Sequence, residues 1–273
     1  MKKASKAKSK ALYNPVDEQP APSASIARVP WSPLFGAVFV VGVFYISQIV
    51  AGLLITIYPE AKMWSAARTN DWLTNSVVAQ FLYILMAEAF TIEAVYYYVV
   101  KRCHAKLSII GLRKPRWGDI IYALAAVIPY YALYLLMVGV VSHFVPGFDV
   151  NEKQQIGFDN VYGGAQLTMT FISLVVLPPI AEEIMVRGFL YSSLRKGMSL
   201  VPAALLTSLI FAAAHLAEGG AAGPLYIAAL DTFVLSLVLI YLREKTGGLW
   251  ASIYLHAIKN GVAFIALFIL STR

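Results

Sequence analysis

Residues 34–57, LFGAVFVVGVFYISQIVAGLLITI, decide the fold, because they contain no Asp, Glu, Lys or Arg from end to end. As a helix this stretch is about 36 Å long, enough to cross roughly 30 Å of hydrocarbon. A surface helix of a soluble domain keeps a polar stripe toward water. This one has none, so its solvent is lipid on most sides. Six further apolar blocks follow at 77–100, 120–145, 166–195, 201–215, 225–242 and 249–270, joined by short polar links. They are long and lack period-two alternation, which excludes a membrane β-barrel. The fold expected is therefore all-α: a polytopic bundle of seven to eight spanning helices enclosing a polar cavity.

Composition agrees. Of 273 residues, 59% are hydrophobic and 14% charged, and mean hydropathy is +0.68. A soluble domain has about half and about a quarter respectively. The formal charge of +7 sits in the links beside apolar blocks, which points to membrane topology and lipid contact, with no nucleic acid as partner. Cys103 is the only cysteine, so neither an intrachain disulfide nor a cysteine metal cluster can form. Residues 1–30 carry Lys2, Lys3, Lys6, Lys8 and Lys10 and then Pro, Ala and Ser, and they read as a disordered basic tail rather than a cleaved signal. The membrane domain is then 31–273.

Lys101, Arg102, Lys106, Arg113, Lys114 and Arg116 fall on the same side as the tail, as do Arg195, Lys196, Arg243 and Lys245. On the other side Asp149, Glu152, Asp159 and Glu218 outnumber Lys153. The positive-inside rule places the N-terminus in the cytoplasm of a multi-pass protein, in the inner membrane of a prokaryote or the endoplasmic reticulum of a eukaryote. Trp31, Trp64, Trp72, Trp117 and Trp250 lie near block ends, as interfacial anchors do. Block 166–195 is too long for one simple crossing and contains Pro178-Pro179, which predict a kink or break just before Glu182 and Glu183. No internal repeat of the transporter kind is visible.

Ionisable groups at membrane depth are functional candidates. Glu182, Glu183 and Arg187 lie on block four, His215 at the end of block five, and His256, Lys259 and Asn260 on block seven. At about 1.5 Å per residue, these groups reach similar middle depths on three helices. Phe211 and His215 share a face, as do His256 and Asn260, so convergence on one cavity is expected. Arg187 follows Glu183 by one turn and is expected to pair with it, while Glu182 points about 100° away. Two carboxylates, two imidazoles and an amide suit a divalent metal that activates water, or a carboxylate that takes a proton from water directly. The bland reading of a lone intramembrane His is packing, and Glu88, Glu93, Asp231 and Lys259 read as partner charges between helices.

Glu182-Glu183-Ile184-Met185-Val186-Arg187, then Phe211 with His215, then His256 with Asn260, form EExxxR, FxxxH and HxxxN in order. This set resembles the CPBP family of type II CAAX prenyl endopeptidases and bacteriocin-processing enzymes, intramembrane proteases with an Abi domain, over about 166–270. The resemblance implies an intramembrane metalloendopeptidase acting on a membrane-associated peptide or protein, in which Glu182 activates water and His215 positions it. It further implies that His256 and Asn260 stabilise the oxyanion and that Glu183 and Arg187 support the site. A divalent metal such as zinc is the implied cofactor, with Glu182, Glu183, His215 and His256 as candidate ligands. A scaffold of the same fold and an ion- or proton-coupled transporter are the alternative readings.

Overall fold

The computed structural model describes residues 29–151, 157–216 and 223–270. The basic tail up to residue 28, and with it Glu152, Lys153 and Glu218, lies outside the described residues.

Among the described residues there are eight helices, a further 3-10 turn at Leu107–Ile110 and no strand. All seven apolar blocks are helical. Helix α1 (Pro33–Ala61) opens on Ser32, whose hydroxyl accepts from the Phe35 amide at 3.2 Å, and on Pro33, whose missing N–H would be unpaired there anyway. Helix α2 (Ala66–Asn75) is a short polar helix capped by Ser65. Helices α3 (Val77–Arg102) and α4 (Trp117–Phe144) follow, then α5 (Gly163–Gly197), α6 (Leu200–Ala214), α7 (Tyr226–Thr246) and α8 (Trp250–Leu270). Six of the eight are long and apolar enough to cross a membrane. The exception among the apolar blocks is α6. Its 15 residues extend about 22 Å, so a helix entering from one face ends within the hydrocarbon layer. That termination is what puts His215 at depth.

Helix α5 is the central post, packing against α1, α3, α6, α7 and α8, with α4 outside α7 and α8. Every residue from Glu183 to Leu194 is buried, so this part of α5 faces protein on all sides. The expected break at Pro178-Pro179 does not occur. The helix continues from Gly163 to Gly197, with π-helical turns at Ile172–Val176 and Glu183–Leu190. A wider turn relieves the clash between a proline ring and the preceding carbonyl without ending the helix.

Trp31 is a correction. It is only 4% exposed, its ring stacks on Phe189 at 4.4 Å, and its indole N–H donates to Ser193 Oγ at 2.6 Å. It fastens α1 to α5 instead of anchoring in the interface. Trp117, 84% exposed, does sit as an anchor would. Ile46, Leu53, Ile121, Ile128 and Leu135 are exposed on α1 and α4, an apolar surface that suits lipid contact and identifies a multi-pass membrane protein.

Candidate active site

The site begins with a buried chain of charges on α5 and α8. Arg187 Nη1 donates to Glu183 Oε1 at 2.9 Å, and both side chains are fully buried. The guanidinium also lies 4.3 Å from the centre of the Phe211 ring on α6. The same Glu183 oxygen meets His256 Nδ1 at 3.1 Å. A carboxylate beside a guanidinium only accepts, so Nδ1 carries the proton and the neutral imidazole presents a lone pair at Nε2. That nitrogen faces Glu182 Oε2 at 3.8 Å. The two neighbouring acids thus differ in setting as well as direction: Glu183 is sealed, whereas the Glu182 side chain is 22% exposed.

His215 follows the last residue of α6 and its Nδ1 bonds the Phe211 carbonyl at 2.8 Å. A carbonyl cannot donate, so this imidazole too carries its proton on Nδ1 and offers Nε2 as an acceptor. The bond also caps a helix end whose last carbonyls lack helical donors. Asn260, one turn beyond His256, donates from Nδ2 to the Leu174 carbonyl on α5 at 2.9 Å.

Glu182, His215, His256 and Asn260 line one cavity of about 340 Å³, with Asp231 of α7 and Lys259 of α8 also in its wall. The convergence expected from depth and helical spacing is therefore present. Glu183 and Arg187 stand behind this wall, holding His256. Lys259 Nζ pairs with Asp231 Oδ2 at 2.9 Å, and Asp231 accepts a short hydrogen bond from Tyr130 of α4, so the reading of these two as interhelical partners holds. Their place in the cavity wall was missed, although Lys259 sits three residues after His256 and so shares its side of α8. Glu88 departs from the expectation: it has no ion pair among the described residues and instead lines a second cavity of about 480 Å³ walled by α1, α3, α5 and α6, which Glu182 also lines. Glu93 is exposed and likewise lacks an ion pair among the described residues.

The four candidate metal ligands do not form one set. Glu183 Oε1 is shared by Arg187 and His256, and both histidines, committed at Nδ1, have Nε2 alone as a donor for a metal. Among the described residues no three His, Cys, Asp or Glu side chains stand together as a metal site, whereas a catalytic zinc takes three protein ligands. The donor set as placed does not fit such a centre.

The matched family model is described as "Type II CAAX prenyl endopeptidase Rce1-like" and covers residues 164–262. No curated protein and no solved structure matches the chain. All three motif elements fall inside the matched segment and contribute to the lining of one cavity, so it is through residues 164–262 that the chain matches the Rce1-like type II CAAX prenyl endopeptidase family.

Proposed function

We propose that the protein is an intramembrane endopeptidase in which Glu182 is the general base. A water in the cavity that both residues line donates one hydrogen to the Glu182 carboxylate and the other to His256 Nε2, since each is an acceptor, and directs its lone pair at the scissile carbonyl. Glu182 Oε2 and His256 Nε2 lie 3.8 Å apart, so the carboxylate and the imidazole address the same part of the cavity. Glu182 takes the proton as the water oxygen bonds the carbonyl carbon. The oxyanion that forms is met by the second N–H of the Asn260 amide, the first being used on Leu174. The C–N bond then breaks and Glu182 passes its proton to the leaving amine. His215 Nε2, an acceptor in the same cavity, orients the water.

In this scheme His256 orients water instead of donating to the oxyanion, because its one proton points at Glu183. The substrate is a membrane-associated protein or peptide cut near its membrane anchor, a reading supported by the family and by a polar cavity walled with apolar helices. The observation that carries the proposal is the place of Glu182 in the cavity wall beside a histidine locked by a buried ion pair. The experiment compares membrane-protein termini in cells bearing the intact chain and the Glu182→Ala form at equal abundance. A fragment present only with the intact chain is the expected result. Unchanged termini with altered complex formation would make the protein a scaffold.

A further inference from the structure

The prolines of α5 have no role in the scheme above, yet their position bears on Asn260. In an α-turn the Leu174 carbonyl takes its hydrogen from the amide four residues on, and in a π-turn from the amide five residues on. Those residues are Pro178 and Pro179, and neither has an N–H. The pair therefore strips one carbonyl of both its helical donors, at a point where α5 is already widened over Ile172–Val176. A carbonyl left without a partner inside a protein is costly, and it is strongly driven to find another donor. Asn260 Nδ2 of α8 supplies it at 2.9 Å.

We infer that Pro178 and Pro179 are positioning residues: they create a fixed acceptor at Leu174 that clamps the Asn260 amide in the flip that presents its second N–H to the cavity. An amide has two rotational flips that exchange oxygen for nitrogen. An accepting carbonyl at Leu174 permits only the flip with nitrogen toward it, since oxygen there would oppose oxygen. Pro178, Leu174 and Asn260 all line the cavity that holds Glu182. The base and the oxyanion donor are thereby referenced to the same short piece of α5, since Glu182 follows Leu174 by eight positions. Two prolines in immediate succession are needed, because one alone leaves the chain free to choose the other turn width and satisfy Leu174 internally.

This inference rests on the hydrolase reading for its kinetic consequence, but its structural part is tested separately. Pro178→Ala restores an N–H to α5 without adding bulk, and Pro179→Ala does the same for the wider turn. In the purified full-length protein, Asn260→Ala should lower the melting temperature by about 3 °C in the parental background, where Leu174 loses its only donor. In the Pro178→Ala background the same change should cost under about 1 °C, because the helix now supplies that donor. Equal losses in both backgrounds overturn the clamp whether or not the protein cleaves anything.

For positioning, a quenched-fluorescent peptide carrying a farnesylated cysteine three residues from its C-terminus is the probe. Pro178→Ala should lower kcat about tenfold and change KM less than twofold, with Pro179→Ala acting in the same direction. A thermal coupling with unchanged kcat overturns the positioning role and leaves the prolines as a structural device. Loss of cleavage in Glu182→Gln, with neither coupling nor kcat effect from the prolines, keeps the hydrolase and removes this inference.

Discussion

Replacing Arg187 by Met tests the buried charge chain. The guanidinium is fully buried, donates to Glu183 at 2.9 Å and covers the Phe211 ring at 4.3 Å. Without it the Glu183 carboxylate keeps only His256 as a partner in a site with no access to solvent. Removing one member of a buried pair costs about 3–5 kcal/mol, chiefly from the charge left behind. Removing both, as Glu183→Leu with Arg187→Met, takes out two desolvated charges and should return stability to within about 1 kcal/mol of the parent. Activity separates from stability here: in the double variant His256 has lost its orienting carboxylate, so cleavage should stay at least about 100-fold down. The assay is equilibrium unfolding in mixed micelles, paired with peptide cleavage by the same preparations. A single variant that loses less than about 1 kcal/mol, or a double variant less stable than the single, would refute the reasoning.

Three other outcomes follow from the same geometry. Gly36→Ala places a Cβ against the side chain of Ser193, which holds Trp31, and should destabilise by about 1–3 kcal/mol through overpacking; an unchanged melting temperature contradicts the α1–α5 contact. Lys259→Met leaves Asp231 with Tyr130 alone, so melting should fall, and adding Asp231→Asn should recover most of that loss; additive losses would show that the two do not act as a pair. Dialysis against a chelator should leave cleavage within about twofold, since every step assigned here uses side-chain groups; activity lost on chelation and regained with zinc ions would return a metal to the site.

The helical blocks were legible because lipid imposes a simple demand, an unbroken apolar run, that sequence alone displays. Glu183–Arg187 and Phe211–His215 were legible for a similar reason, since one helical turn sets the spacing whatever surrounds it. Helix α2 was not, being a mostly polar run of ten residues whose helicity depends on Ser65 as a cap and on the Asn75 to Asp71 bond of 2.8 Å. Trp31 was misread because an indole at a helix entrance suits an interface and a packed core equally well. Only the distant Phe189 and Ser193 decide between them. The prolines were visible, but their effect was not: sequence shows which carbonyl loses its donors, whereas the identity of the replacement requires knowing that α8 passes beside α5. The tautomer of His256 was equally hidden, since it depends on a carboxylate 73 positions away in the chain.

The most direct measurement is the turnover of the farnesylated peptide by Glu182→Gln in proteoliposomes, against the parental protein at matched melting temperature. Glutamine keeps the shape of the side chain and its contact with the cavity but cannot take a proton. A fall in kcat of at least about 1000-fold with KM nearly unchanged is predicted. Turnover within about tenfold of the parent would mean that another group activates the water, and the site drawn around Glu182 would be wrong.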